Sequence, residues 1–151
     1  MNDAADVLVP PPGFKRSEGR GPFMTHNGPL YDRIHGDAVQ QAFFASDRHA
    51  NGIGLVHGGM LSAFMDGLMA SALLHAGAEA LVTMHLSIDY LGMSRIGDWV
   101  IGEGRCTRLT RDVGFAEARV FVGRRTVVRG GGVFKLMRRP RALDAEDGGV
   151  Q

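Results

Sequence analysis

The sequence has one cysteine, no long apolar run and almost no net charge. The lone thiol, Cys106, cannot form an internal disulfide, which fits a reducing compartment. Its ordinary role is that of a small core residue rather than a nucleophile. Seventeen basic residues against 16 acidic ones leave a formal charge of +1. Neither nucleic acid nor an anionic membrane is called for as a partner. The most apolar stretch, Met60 to Leu74, is short for a bilayer and carries Asp66 at its centre, where lipid would penalise it. It reads as a helix buried in protein. Residues 1–20 lack the basic-then-apolar layout of a signal peptide, so the expected location is cytoplasmic. The six histidines form no His-x-x-x-His pair and no cysteine cluster exists, so neither a metal site nor another cofactor is expected.

Glycine is in excess, with 22 in 151 residues, about twice its ordinary share. Many of these glycines fall inside strand-like segments, where they mark close backbone approach or a bulge. An apolar fraction of 44% over this length fits one domain with a real core. The expected organisation is a flexible proline-containing arm over residues 1–20, a domain over 21–139 and a frayed polar tail over 140–151.

Along the chain, Leu30 to Gly36 and Ala38 to Ser46 read as short strands. Asp47 to Leu55 is a loop punctuated by Asn51, Gly52 and Gly54. Met60 to Ala76 is rich in Leu, Met and Ala, lacks β-branched residues and stops at Gly77, which predicts a helix. Apolar residues lie nearly all round it, so it should be covered on most sides. Val82 to Tyr90 alternates: Val82, Met84, Leu86, Ile88 and Tyr90 on one face, Thr83, His85, Ser87 and Asp89 on the other. Trp99 to Leu109, Val113 to Val122 and Thr126 to Met137 are further strands, joined by tips at Thr110-Arg111-Asp112 and Gly123-Arg124-Arg125. Pairing about those tips sets Gly104, Ala118 and Gly130 opposite one another, with Gly102, Ala116 and Gly132 close by. A helix can sink into such a trough. Two strands, one helix and four strands then suggest an α+β fold in which a curved antiparallel sheet wraps one helix.

Chemistry points to four places. Asp66 is the only ionisable residue between Met60 and Leu74. An acid in an apolar helix needs a partner or a function, although a narrow polar stripe shared with Ser62 at i and i+4 would also place it. Burial would strengthen its carboxylate as a base. His57-Gly58-Gly59 precedes the helix, where unpaired N–H groups can hold a developing oxyanion, or simply form a glycine turn. Asn51, in the loop feeding the helix, can donate its amide N–H to a carbonyl or water, or serve only as a turn residue. Thr83 brings a hydroxyl to the strand's polar face, where β propensity alone would also put it. Eight residues separate Gly58 from Asp66, roughly 12 Å along a helix. One carbonyl cannot touch both within one chain, so a site using both would be shared between two copies.

In order and spacing, Asn51 through His57-Gly58-Gly59, Asp66, and Val82-Thr83 through Tyr90 to Gly97-Asp98 resemble the hotdog-fold thioesterases of the phenylacetate (PaaI-like) type. The resemblance runs over about residues 30–137. It implies a hotdog fold, with six antiparallel strands around a long helix, in homodimers with a joined sheet and possibly tetramers. It implies hydrolysis of an acyl-CoA. Gly58 N–H would hold the thioester oxygen, and Asp66 of the partner would act as general base or nucleophile. Thr83 would orient the water or the carboxylate, and Asn51 and His57 would position the carbonyl side. Gly59, Arg124 and Arg125 are candidate substrate-binding residues; Arg124, Arg125 and Arg138-Arg139 could meet CoA phosphates or only solvent. The prolines that relatives often carry after Tyr90-Leu91 and near Asn51 are missing here. A hotdog dehydratase or hydratase would need a histidine segment of another kind, which is absent. A non-catalytic acyl-CoA regulator would normally bring a helix-turn-helix, for which the first 29 residues are too short and proline-rich.

Overall fold

The computed structural model describes residues 8–138. Residues 1–7 of the expected arm, Arg139 and the expected tail lie outside the described residues. The elements are β1 (Lys15–Arg16), α1 (Gly21–Asn27), β2 (Tyr31–His35), β3 (Ala38–Phe44), α2 (Gly58–His75), β4 (Ala80–Tyr90), β5 (Trp99–Leu109), β6 (Val113–Val122) and β7 (Arg125–Met137). The strands form one antiparallel sheet in the order β1-β2-β3-β5-β6-β7-β4, with β4 at one end. Among the described residues, no helix is long and apolar enough to cross a membrane.

The expected six strands are present, and a seventh adds to them. Lys15 and Arg16 pair with Asp32 and Tyr31, inside the segment expected to be an arm. Phe14 is buried with Tyr31 and Ala42 on the sheet's outer face, and Trp99 packs against them. Arg20 grips Asp32 with two contacts of 2.7 Å and donates to Ser71 on α2 at 2.6 Å. The domain therefore starts before residue 21: one aromatic anchor and one ion pair, in which a single Arg20 nitrogen meets both Asp32 oxygens, hold residues 14–20 to it.

Helix α2 lays Met60, Leu61, Phe64, Met65, Leu68, Met69, Ala72 and Leu73 on the sheet. Pairs spaced by four make a broad apolar stripe. The opposite side, with Ser62, Ala63, Asp66, Gly67 and Ala70, is only half-buried, so the described residues cover α2 less completely than its apolar composition suggests. The small-residue trough is where the register places it: Gly104 faces Ala118, Ala118 faces Gly130, and Ala116 faces Gly132. A Cβ on Gly102 would stand 2.5 Å from Leu68 Cδ2, and one on Gly104 would stand 3.1 Å from the Leu68 carbonyl oxygen. The helix backbone itself thus lies against β5.

Strand β4 departs from the alternation read in the sequence. Thr83 pairs with Phe134 and His85 with the adjacent Val133, so Met84 is an extra residue in a β-bulge. Leu86 and Ile88 face the core as expected. Before the bulge the phase is reversed: Leu81 packs on the core and Thr83 turns towards α2, while Val82 is exposed.

The loop after β3 holds one 3-10 turn, Asp47–His49. His49 is buried; its Nδ1 accepts from Ser46 N–H at 3.0 Å and its Nε2 lies 2.8 Å from the Asn27 carbonyl oxygen. The first bond leaves the proton on Nε2, which then donates to Asn27. Arg48 donates to the carbonyls of His26 and Gly28. Together they fasten the end of α1 to the loop that feeds α2.

This packing can be tested at the trough and at His49. Gly104→Val should lower stability by roughly 1–3 kcal/mol. Gly131→Ala, whose Cβ would meet only the Ala116 carbonyl oxygen at 3.4 Å, should stay within about 0.5 kcal/mol of wild type; urea midpoints compare them. Burial, aided by the Arg48 charge and opposed by the bond to Asn27, lowers the His49 pKa from 6.5. Below that pH the unfolded chain binds a proton that the folded ring resists, so the stability it contributes is full above 6.5 and declines as pH falls. The melting temperature should fall from pH 7 to pH 5, with a shallower slope in His49→Gln.

Candidate active site

The two chemically distinctive parts of α2 are its start and its one carboxylate, and β4 touches both. Thr83 Oγ1 donates to Asp66 Oδ1 at 2.6 Å. Among the described residues this leaves Oδ2 free, on a residue half-exposed on the side of α2 that faces away from the core. A carboxylate held by a single hydroxyl keeps its acceptor capacity for water or substrate.

At the helix start, the extended backbone of His57 (φ −60, ψ 135) caps α2. Its Nδ1 accepts from Gly59 N–H at 2.7 Å, and its carbonyl accepts from Met60 and Leu61. Among the described residues, the Gly58 N–H makes no hydrogen bond. It is a free donor at the positive end of an 18-residue helix. The Gly59 N–H, by contrast, is occupied, so Gly59 contributes its lack of side chain rather than a donor.

Asn51 holds its own loop. Its Oδ1 accepts from Ile53 N–H at 3.0 Å and Leu55 N–H at 3.1 Å. The side-chain oxygen is thereby fixed and, among the described residues, the amide NH2 is uncommitted. The turn role and the donor role are compatible in this geometry.

Arg124 sits exposed at the β6–β7 tip with no side-chain bond among the described residues. Arg125 donates to the Met93 carbonyl at 3.0 Å and braces the segment after Tyr90. A cavity of about 230 Å³ opens beside the helix start, walled by Phe23, Asn27, Ala50, His57, Gly59 and Met60. A larger groove of about 610 Å³ lies over Ser87, Glu103, Glu117, Arg119 and Arg129 on the sheet's outer face and includes none of the predicted site residues.

Tyr90 was not singled out by the sequence, though its phase with Leu86 and Ile88 signals the helix-facing side. Its hydroxyl donates to the Gly58 carbonyl at 3.1 Å and contacts Ser62 Oγ.

Known proteins resemble this chain in sequence and in fold. The model of the thioesterase superfamily matches residues 53–129, the stretch that holds His57, Gly58, Asp66 and Thr83. A Pseudomonas aeruginosa protein, named provisionally as an esterase, is 35% identical over 131 residues, covering 83% of this chain and 96% of its own length. A mutant of the phenylacetic acid degradation protein PaaI from Thermus thermophilus superimposes with a TM-score of 0.70 at 23% identity, over 78% of this chain and all of that one. A hypothetical thioesterase from Streptococcus pneumoniae, solved with coenzyme A, gives 0.67 at 20% identity, over 72% and 85% of the two chains. The structural likenesses establish the hotdog fold. With a family model spanning half its length and a relative aligned almost end to end, the chain belongs to the thioesterase superfamily.

Proposed function

We propose that the protein hydrolyses an acyl-CoA to the free acid and CoA, in a homodimer whose sites each combine Gly58 of one copy with Asp66 of the other. The observation that carries this reading is the pairing of an unoccupied helix-start N–H with a carboxylate that β4 holds ready. Gly58 and Asp66 lie on one unbroken helix, roughly 12 Å apart along its axis, so a second copy must bring them together. The exposed edge of β4 suits that role. Among the described residues its end of the sheet has no neighbour, and Val82, Met84, Tyr90, Leu91 and Met93 along and beyond it are each more than half exposed. A long apolar edge strand left bare invites pairing. Coenzyme A in the Streptococcus relative supports a CoA thioester as substrate.

In the reaction, Asp66 takes a proton from water as the water oxygen attacks the thioester carbon. Gly58 N–H stabilises the oxyanion, the C–S bond breaks and the thiolate leaves, to be protonated to CoA. Alternatively, the carboxylate attacks directly, expels the thiolate and forms an acyl anhydride that water cleaves. Both routes consume one water and release one acid and one thiol. Thr83 fixes the carboxylate, and Asn51 and His57 orient the carbonyl. Arg124, at its exposed tip, is placed to meet a phosphate.

Asp66→Asn should reduce thiol release from an acyl-CoA panel by at least about a hundredfold without unfolding the protein. Near wild-type turnover in that variant would overturn the role. Gly58→Pro removes the N–H at a position where proline suits a helix and where the extended His57 accepts it. Mixed with Asp66→Ala, it should recover roughly a quarter of wild-type activity, since about half the dimers are mixed and each keeps one of two sites. No recovery, with mixed dimers demonstrated by mass spectrometry, would argue for sites within single chains.

A further inference from the structure

An oxyanion donor works only if it is already aimed before charge develops. Here that donor sits on a Gly-Gly pair, the most conformationally free dipeptide available. Its neighbours supply the restraint. The His57 carbonyl is held by Met60 and Leu61 N–H, which orients the peptide whose N–H belongs to Gly58. The next peptide, between Gly58 and Gly59, is held at both ends. His57 Nδ1 takes its N–H, and Tyr90 donates to its carbonyl at 3.1 Å.

Tyr90 also closes the space around Gly58. A Cβ built there would have Tyr90 atoms as its three nearest neighbours, beginning at 3.6 Å from Cε1. A phenol has one proton. With that proton on the Gly58 carbonyl, the contact with Ser62 Oγ makes Ser62 the donor to the Tyr90 oxygen. A helical serine can turn its hydroxyl back on the carbonyl four residues earlier; here Ser62 meets the Tyr90 oxygen, and Tyr90 donates to that carbonyl. Tyr90 as a whole is 51% exposed, so burial does not explain a hydroxyl bonded on two sides.

Resting on the shared-site reading above, we infer that Tyr90 is a positioning residue. Its hydroxyl and ring hold the Gly58-Gly59 backbone in the orientation that presents the Gly58 N–H to the thioester oxygen. It touches no reacting atom. Because Thr83 and Tyr90 belong to one strand, β4 sets the carboxylate and the donor of the same protomer together, although the two serve different sites of the dimer.

The test compares Tyr90→Phe and Tyr90→Leu with wild type, using hexanoyl-CoA and benzoyl-CoA. Thiol release gives kcat and KM, and thermal melting and oligomeric mass are read in parallel. Loss of the hydroxyl alone should lower kcat roughly 10- to 100-fold, with KM, the pH profile, the melting temperature and the mass near wild type. Loss of the ring as well should lower kcat further. Wild-type kcat in Tyr90→Phe overturns the inference, as does a loss that only tracks falling stability or dissociation. The wider reading is judged separately by Asp66→Asn. If that variant is inactive while Tyr90→Phe is normal, only the Tyr90 role fails; if Asp66→Asn turns over normally, the shared-site chemistry fails.

Discussion

Helix α2 sits at backbone contact with the sheet, and that depth sets both what it buries and what it exposes. Without side chains at Gly102 and Gly104, the helix settles until the Leu68 backbone meets β5. That depth buries a complete face of Phe, Met and Leu residues, and burial on this scale is the main stabilising contribution to a domain of this size. It also sets the height at which the opposite side of α2 emerges. Asp66 emerges there beside Thr83, and the helix start emerges beside Tyr90.

Most of the architecture was legible in the sequence because it rests on patterns of period two and on glycine. Strands β5 and β6 have the expected bounds, and the pairing of Gly104, Ala118 and Gly130 follows from the hairpin tips alone. The start of the chain was less legible. Strand β1 has two residues and no periodicity to detect, and Phe14 is a lone apolar anchor after three prolines. Helix α1 carried a usable signal: Pro22 stands in its first turn and Gly28 just past its end, the usual asymmetry of start and stop.

At the site, residue types and spacing pointed to Asp66, Thr83, His57, Gly58 and Asn51, and geometry adds what each bond does. No spacing rule states that Gly59 N–H is occupied while Gly58 N–H is free; that depends on the rotamer of His57. Nor does sequence show that Arg125 braces Met93 whereas Arg124 is unattached among the described residues. The alternation puts Tyr90 on the correct face as a packing residue. Its polar tip becomes informative only once the strand's end is seen to reach the helix start.

The bulge at Met84 has a consequence of parity. Thr83 and Tyr90 are separated by an odd number of positions, and in an unbroken strand an odd separation sends two side chains to opposite sides. One supernumerary residue converts odd to even, so both point at the same helix. β4 is therefore two half-strands of opposite phase spliced at one residue, and an insertion or deletion anywhere within the splice would leave one of the two groups reaching into solvent.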